Sequence, residues 1–267
     1  MASKKQKAND RFPEELIREW ESSDGVNFAL ALARASGWLL HVDWWTQNQG
    51  DPVEKMKPLR VYVGTDGDAI YDFNGKKRIQ AYNQYTIQPI LAKRKFSGGG
   101  VATRYYSEED LWELPLRVKP SAPGIARAAE ALRRHSSFLA KMPLRANPNV
   151  PAHVAALFTF GKCAVFAAVL HELKGLPAAA ILVQQYEPAF ALSKTGFCHS
   201  ICIHPDGEWE DAWGKQAPAN ILARHGIEAY TTSEQVQQEV SSTLRKNSPE
   251  LYAHYDQLAR TLINEGE

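Results

Sequence analysis

Residues 161–213 read GKCAVFAAVLHELKGLPAAAILVQQYEPAFALSKTGFCHSICIHPDGEWEDAW, and this stretch decides the fold. Its first fourteen residues carry a helical apolar pattern that Gly175-Leu176-Pro177 stops. Ala178 to Tyr186 then reads as a strand, and a loop with Pro188 and Gly196 leads to a second strand, Cys198 to His204. Pro205-Asp206-Gly207 turns the chain into a third strand, Glu208 to Trp213. Downstream, Pro218 to His225 reads as helix and Ile227 to Thr232 as strand. Ser233 to Lys246 and Ser248 to Glu265 each open with Ser and an early acidic residue, the mark of a helix start, and should form a closing helical cap.

Upstream the same order recurs. Gly25 to Ala35 is helical and stops at Ser36-Gly37; Leu39 to Trp45, Leu59 to Gly64 and Ala69 to Phe73 are strand-like, the last two flanking Thr65-Asp66-Gly67. Arg78 to Tyr85 reads as a short helix and Thr86 to Ala92 as another strand. Phe28, Leu32 and Gly37 match Phe166, Leu170 and Gly175 at identical spacing. The expected fold is therefore α+β: two related lobes, each a helix with an antiparallel sheet, followed by C-terminal helices. The expected organisation is a disordered start over 1–10, a first lobe over 11–117, a linker over 118–124 (VKPSAPG within it), a second lobe over 125–232 opening with an amphipathic helix to Leu144, and the helical cap over 233–267.

Composition narrows the function. The 267 residues carry 31 Lys+Arg against 30 Asp+Glu, a formal charge of +1, so no polyelectrolyte surface for nucleic acid is favoured. No apolar run is long enough for a membrane span, and three cysteines are too few and odd in number for a secreted disulfide framework. A cytoplasmic protein with reduced thiols is expected.

The chemistry concentrates in the second lobe. Cys163 opens a helix, where the positive dipole end and neighbouring Lys162 favour a thiolate. His199 on a strand can serve as base, and an acid on the next strand can hold its ring in one tautomer. Register selects the acid. A two-residue loop at Asp206-Gly207 would put His199 and Asp211 on opposite faces. A type I turn through Pro205-Asp206 with Gly207 in the left-handed bulge position instead pairs His204 with Glu208 and Ile201 with Asp211, bringing His199 and Asp211 to one face. Proline, Asp and Gly in that order favour the second register, so Asp211 is the expected acid and Glu210 the alternative. The backbone N–H of Cys163 is a natural oxyanion donor, while Thr159 is either a second cleft residue or an ordinary N-cap. Trp209 and Trp213 alternate on the Asp211 face, where Trp213 could wall the site from water.

This order of Cys at a helix start, Gly-Leu-Pro, His on a strand, a DG turn, Trp and Asp resembles the transglutaminase-like branch of the papain-like cysteine hydrolases. The resemblance covers about Pro151 to Thr232, with separations of 199 − 163 = 36 and 211 − 199 = 12, and departs from the usual pattern at Ser200-Ile201, where that branch has a small residue and Trp. It implies an acyl-enzyme mechanism on an amide or peptide bond of a protein or peptide: Cys163 attacks, His199 moves the proton and Asp211 orients His199. It requires no cofactor or metal. Peptidase, deamidase and acyl or amine transferase all remain open, beside a scaffold in which the triad is residual.

Other polar residues have structural readings. Cys198 and Cys202 lie four strand positions apart, about 13 Å between starting points, too far to chelate one ion. His171 sits about two helical turns from Cys163 and is excluded as the base. Counted from Phe28 and from Asp66-Gly67, the first-lobe positions matching the triad are Gly25 (163 − 138), Leu59 (199 − 140) and Tyr71 (211 − 140), so that lobe is expected to be non-catalytic.

Overall fold

The computed structural model describes residues 12–65, 69–143, 145, 150–159, 162–188 and 194–265. The expectations of a disordered start over 1–10 and of a turn at Asp66-Gly67 lie outside these residues. The fold is mixed α+β, with two compact units, Met1–Leu144 and Arg145–Glu267.

The first unit begins with α1 (Glu14–Ser22) and α2 (Val26–Ser36), followed by β1 (Leu39–Thr46), β2 (Lys57–Gly64), β3 (Ala69–Asp72) and β4 (Gly75–Arg78). A helical segment from Ile79 ends in α3 (Gln88–Arg94), followed by β5 (Gly100–Tyr106), a short helix over Glu108–Glu113, α4 (Ala122–Arg134) and a helical turn over Ser136–Leu139. The sheet is antiparallel throughout in the order β4-β3-β2-β1-β5. Phe12, Trp20, Phe28, Phe73 and Phe138 form an aromatic cluster of edge-on and tilted pairs that fills the core on the helical side.

The second unit runs α5 (Cys163–Lys174), β6 (Ala178–Tyr186), β7 (Gly196–Ile203), β8 (Trp209–Asp211), β9 (Gly214–Gln216), α6 (Pro218–His225), β10 (Ile227–Ser233), α7 (Glu234–Asn247) and α8 (Pro249–Glu265). Its sheet order is β10-β6-β7-β8-β9, again antiparallel. Shifting each label by five converts the first order into the second, so both units have one topology. The glycines that end α2 and α5 also correspond. Gly37 (φ 74°) and Gly175 (φ 67°) both take the left-handed conformation that a C-cap needs and a Cβ disfavours.

Three expectations are corrected. Thr86 to Ala92 is helical, because its short apolar run belongs to a π turn (Asn83–Ile87) that runs into α3; such runs do not distinguish helix from strand. The fifth strand is instead Gly100–Tyr106, against β1. Glu208 to Trp213 is not one strand, since β8 stops at Asp211 and Trp213 sits in the turn to β9. Residues 118–124 are not a linker between lobes: Ser121 N–H donates to Asn27 Oδ1 at 2.9 Å, and Gly124 abuts Asn27 so closely that a Cβ there would fall 2.2 Å from its Nδ2. α4 thus packs on α2 and belongs to the first unit, and the division falls after Leu144.

Candidate active site

The hairpin between β7 and β8 sets the geometry. Cys202 pairs with Glu210 and Ile203 with Trp209, while His204 N–H donates to Glu208 O at 2.9 Å. Gly207 N–H closes the turn onto His204 O at 2.9 Å, with Gly207 at φ 85°. This is the three-residue loop expected from Pro205-Asp206-Gly207, and it brings His199 and Asp211 to one face.

His199 Nε2 lies 2.9 Å from Asp211 Oδ2, with both residues buried. The Cys163 thiol is buried at the first position of α5, where it and the His199 ring shift each other's titration. Because Asp211 occupies Nε2, Nδ1 is the nitrogen left for the sulfur. Burial alone would raise the thiol, but the His199 contact, reinforced by Ser200, outweighs it and lowers Cys163 below its ordinary value. Burial likewise opposes a charged imidazole, yet Asp211 and Cys163 raise His199 well above its ordinary value. The two shifts have opposite signs and each has the other group among its causes, so the pair titrates as a unit. Cys202 is the opposite case: burial, with Glu210 nearby, pushes it up to about 12, and its S–H donates to Ala167 O at 3.2 Å.

Asp211 is saturated by partners. Oδ2 also accepts from Arg224 Nη2 at 2.7 Å, and Oδ1 accepts from Trp213 N–H at 2.9 Å. Burial would raise this carboxyl, but Arg224 and His199 hold it well below the carboxylate range. Glu210 instead bonds His204 at 2.7 Å, which takes it away from His199.

The remaining expected residues fall elsewhere. Trp213 buttresses Asp211 through its backbone, while its ring is covered by the Arg145 guanidinium at 5.0 Å and its carbonyl accepts from Arg145 at 3.2 Å. Burial pushes Arg145 down to about 10, with Asp211 opposing that shift and Arg224 adding to it. Lys162 is the N-cap of α5, and its ammonium lies 4.7 Å from the centre of the Tyr255 ring. Thr159 is not an N-cap of α5; its hydroxyl donates to Ala156 O at 2.7 Å. Cys163 and Ala164, as the first two residues of α5, have N–H groups without acceptors inside the helix, suited to a developing oxyanion. His171 accepts a cap role at the other end, 2.6 Å from Leu176 O.

Sequence reading missed three residues. Arg224 sits in the last turn of α6, where a cation is ordinary, so nothing marked it as a partner for Asp211. His225 beside it places its ring 5.0 Å from that of His199. Gln237, buried on α7, accepts from Ser200 Oγ at 2.6 Å and donates to Ala164 O at 2.9 Å, tying strand β7 to the start of α5.

Register also corrects the first-unit equivalents. Leu40 pairs with Val63 and Ala178 with Cys202, offsets of 178 − 40 = 138 and 202 − 63 = 139, so His199 corresponds to Arg60 (199 − 139), not Leu59. Val63 pairs with Tyr71 and Cys202 with Glu210, again 210 − 71 = 139, so Asp211 corresponds to Asp72, not Tyr71. The local structure agrees: Asp72 Oδ1 accepts from Asn74 N–H at 2.8 Å as Asp211 does from Trp213, and Asp72 pairs with Gly75 as Asp211 does with Gly214. The first unit thus keeps the acid, replaces the histidine by arginine and the cysteine by Gly25.

Compared with protein-family models, with curated proteins and with solved structures, the chain matches none of them.

Proposed function

We propose that the second unit is a cysteine hydrolase acting on an amide or peptide bond of a protein or peptide, as its resemblance to the transglutaminase-like branch of the papain-like hydrolases implies. The observation that carries this reading is the buried His199 ring bonded to the Asp211 carboxylate at 2.9 Å, with the Cys163 thiol, buried at the start of α5, lowered by that ring. In the reaction the Cys163 thiolate attacks the carbonyl carbon and the oxyanion forms at the N-terminus of α5. The His199 imidazolium gives its proton to the leaving amine, leaving a thioester. Water, deprotonated by His199, then attacks the thioester and releases the carboxylic acid and free Cys163. An amine in place of water would give transfer by the same steps. Asp211 keeps the ring oriented and compensates its charge, and Arg224 keeps Asp211 ionised.

One observation favours a second reading, an interaction scaffold with a residual triad: Cys163 is only 4% exposed. An electrophilic thiol probe applied to the wild type and to Cys163→Ala separates the two. The hydrolase reading predicts labelling at Cys163 that the substitution abolishes; labelling confined to other thiols supports the scaffold.

A further inference from the structure

The first unit carries a cleft of about 1050 Å³ lined by Arg18, Arg60, Lys77, Lys93, Arg94 and Arg117. Its acidic lining residues are Glu21 and Asp24, and Asp24 is already engaged: both its oxygens accept from Arg117, at 2.9 and 3.0 Å, and Arg94 bonds it as well. That arrangement is built rather than incidental. Asp24 sits in a left-handed conformation (φ 56°) costly for a non-glycine residue, and its carbonyl is pinned by Val61 N–H at 2.8 Å. One buried carboxylate thus positions two guanidinium groups and leaves the cleft strongly cationic.

Among the lining residues is Arg60, the residue in the place of His199. It is 6% exposed, its guanidinium rests on the Phe73 ring at 4.7 Å, and its Nε and Nη1 have no hydrogen-bond partner among the described residues. The neighbouring acid does not complete it, since Asp72 Oδ1 takes Asn74 N–H and Lys77 while Oδ2 has no hydrogen-bond partner among the described residues. Those two nitrogens are closed off from the cleft, so the call for a negative partner comes from the lining as a whole, six cations against two carboxylates of which Asp24 is already engaged. We propose that the first unit is an oxyanion-binding site: Arg60, Arg94 and Arg117 receive a compact polyanion bearing phosphate or carboxylate groups, at the place where the second unit holds its triad. Gly25, in the position of Cys163, fits this substitution. A Cβ there would lie 2.8 Å from Val61 O and 3.3 Å from the Phe73 ring, and the φ of 80° disfavours any side chain, so this position beside Arg60 carries none.

The test is calorimetric titration of the intact chain, at low salt, with pyrophosphate and separately with tricarballylate. Saturable binding of one molecule per chain is expected, weakened at least tenfold by Arg60→Gln and unaffected by Cys163→Ala. A tenfold preference between the probes identifies phosphate or carboxylate as the recognised group; comparable binding of both supports the shared oxyanion chemistry. If Arg60→Gln does not fold, the Lys93→Gln/Arg117→Gln variant, altering exposed cations, decides, and a loss of at least fivefold is expected. Absence of saturable binding by either probe, or binding that the folded variants leave unchanged, overturns the proposal. Because Cys163→Ala is silent here, the result stands or falls separately from the hydrolase reading.

Discussion

At the scale of single residues, the site depends on charge compensation between buried groups. Asp211 is buried, ionised and shared between His199 and Arg224, so removing either partner leaves an uncompensated charge. Arg224→Met is expected to lower stability by about 3–5 kcal/mol, read from urea unfolding at neutral pH, whereas a change below about 1 kcal/mol would show the pair to be dispensable. The pH dependence follows in sign. Because the folded state holds Asp211 below its ordinary 3.8, its contribution is complete above pH 3.8 and declines as pH falls below that value. His199 is raised above its ordinary 6.5, so its contribution is complete below pH 6.5 and is lost as pH rises through the folded value. Arg224→Met should therefore flatten the acid limb of the stability profile; an acid limb identical to wild type would contradict this account of Asp211.

At the scale of elements, the hairpin between β7 and β8 was legible in the sequence because three consecutive residues each select one backbone conformation. Gly207 at φ 85° has no neighbour within 4 Å of a Cβ, so Gly207→Ala tests backbone conformation alone. It should cost about 1 kcal/mol, measured by chemical denaturation, and an unchanged or raised midpoint would refute the bulge. The helix starts, glycine stops and the Cys163, His199, Asp211 order were legible for the same reason, being local. What was not legible is non-local. Arg224 and Gln237 look like ordinary helix-surface residues until tertiary packing buries them, and α4 reads as part of the second lobe until Gly124 meets Asn27. The spacing from Asp66-Gly67 differs by one from the strand register, and one residue in a strand exchanges faces, which is why the spacing points to Leu59 and Tyr71 while the register places Arg60 and Asp72 there. Gln237→Leu, which removes both bonds by which this side chain bridges β7 and α5, should slow thiol alkylation at Cys163 several-fold while leaving the circular dichroism spectrum unchanged; an unchanged rate would remove Gln237 from the site's support.

At the scale of the whole molecule, one topology occurs twice with two different polar centres, Cys163-His199-Asp211 and Gly25-Arg60-Asp72. Two compact units with separate cores predict two calorimetric unfolding transitions, one lowered by Trp20→Ala and the other by Arg224→Met. A single transition moved equally by both substitutions would contradict that division. The central claim concerns which of three thiols the fold activates: Cys163 lowered by His199, Cys202 pushed up to about 12, and Cys198 on the same strand as His199. The most direct measurement is the rate of iodoacetamide alkylation at each cysteine, resolved by mass spectrometry from pH 5 to 10, for the wild type and His199→Ala. The account predicts that Cys163 reacts first, with a midpoint below the ordinary thiol value of about 8.5, and that His199→Ala moves this midpoint upward. Alkylation of Cys163 no faster than that of Cys202 across the whole range would contradict it.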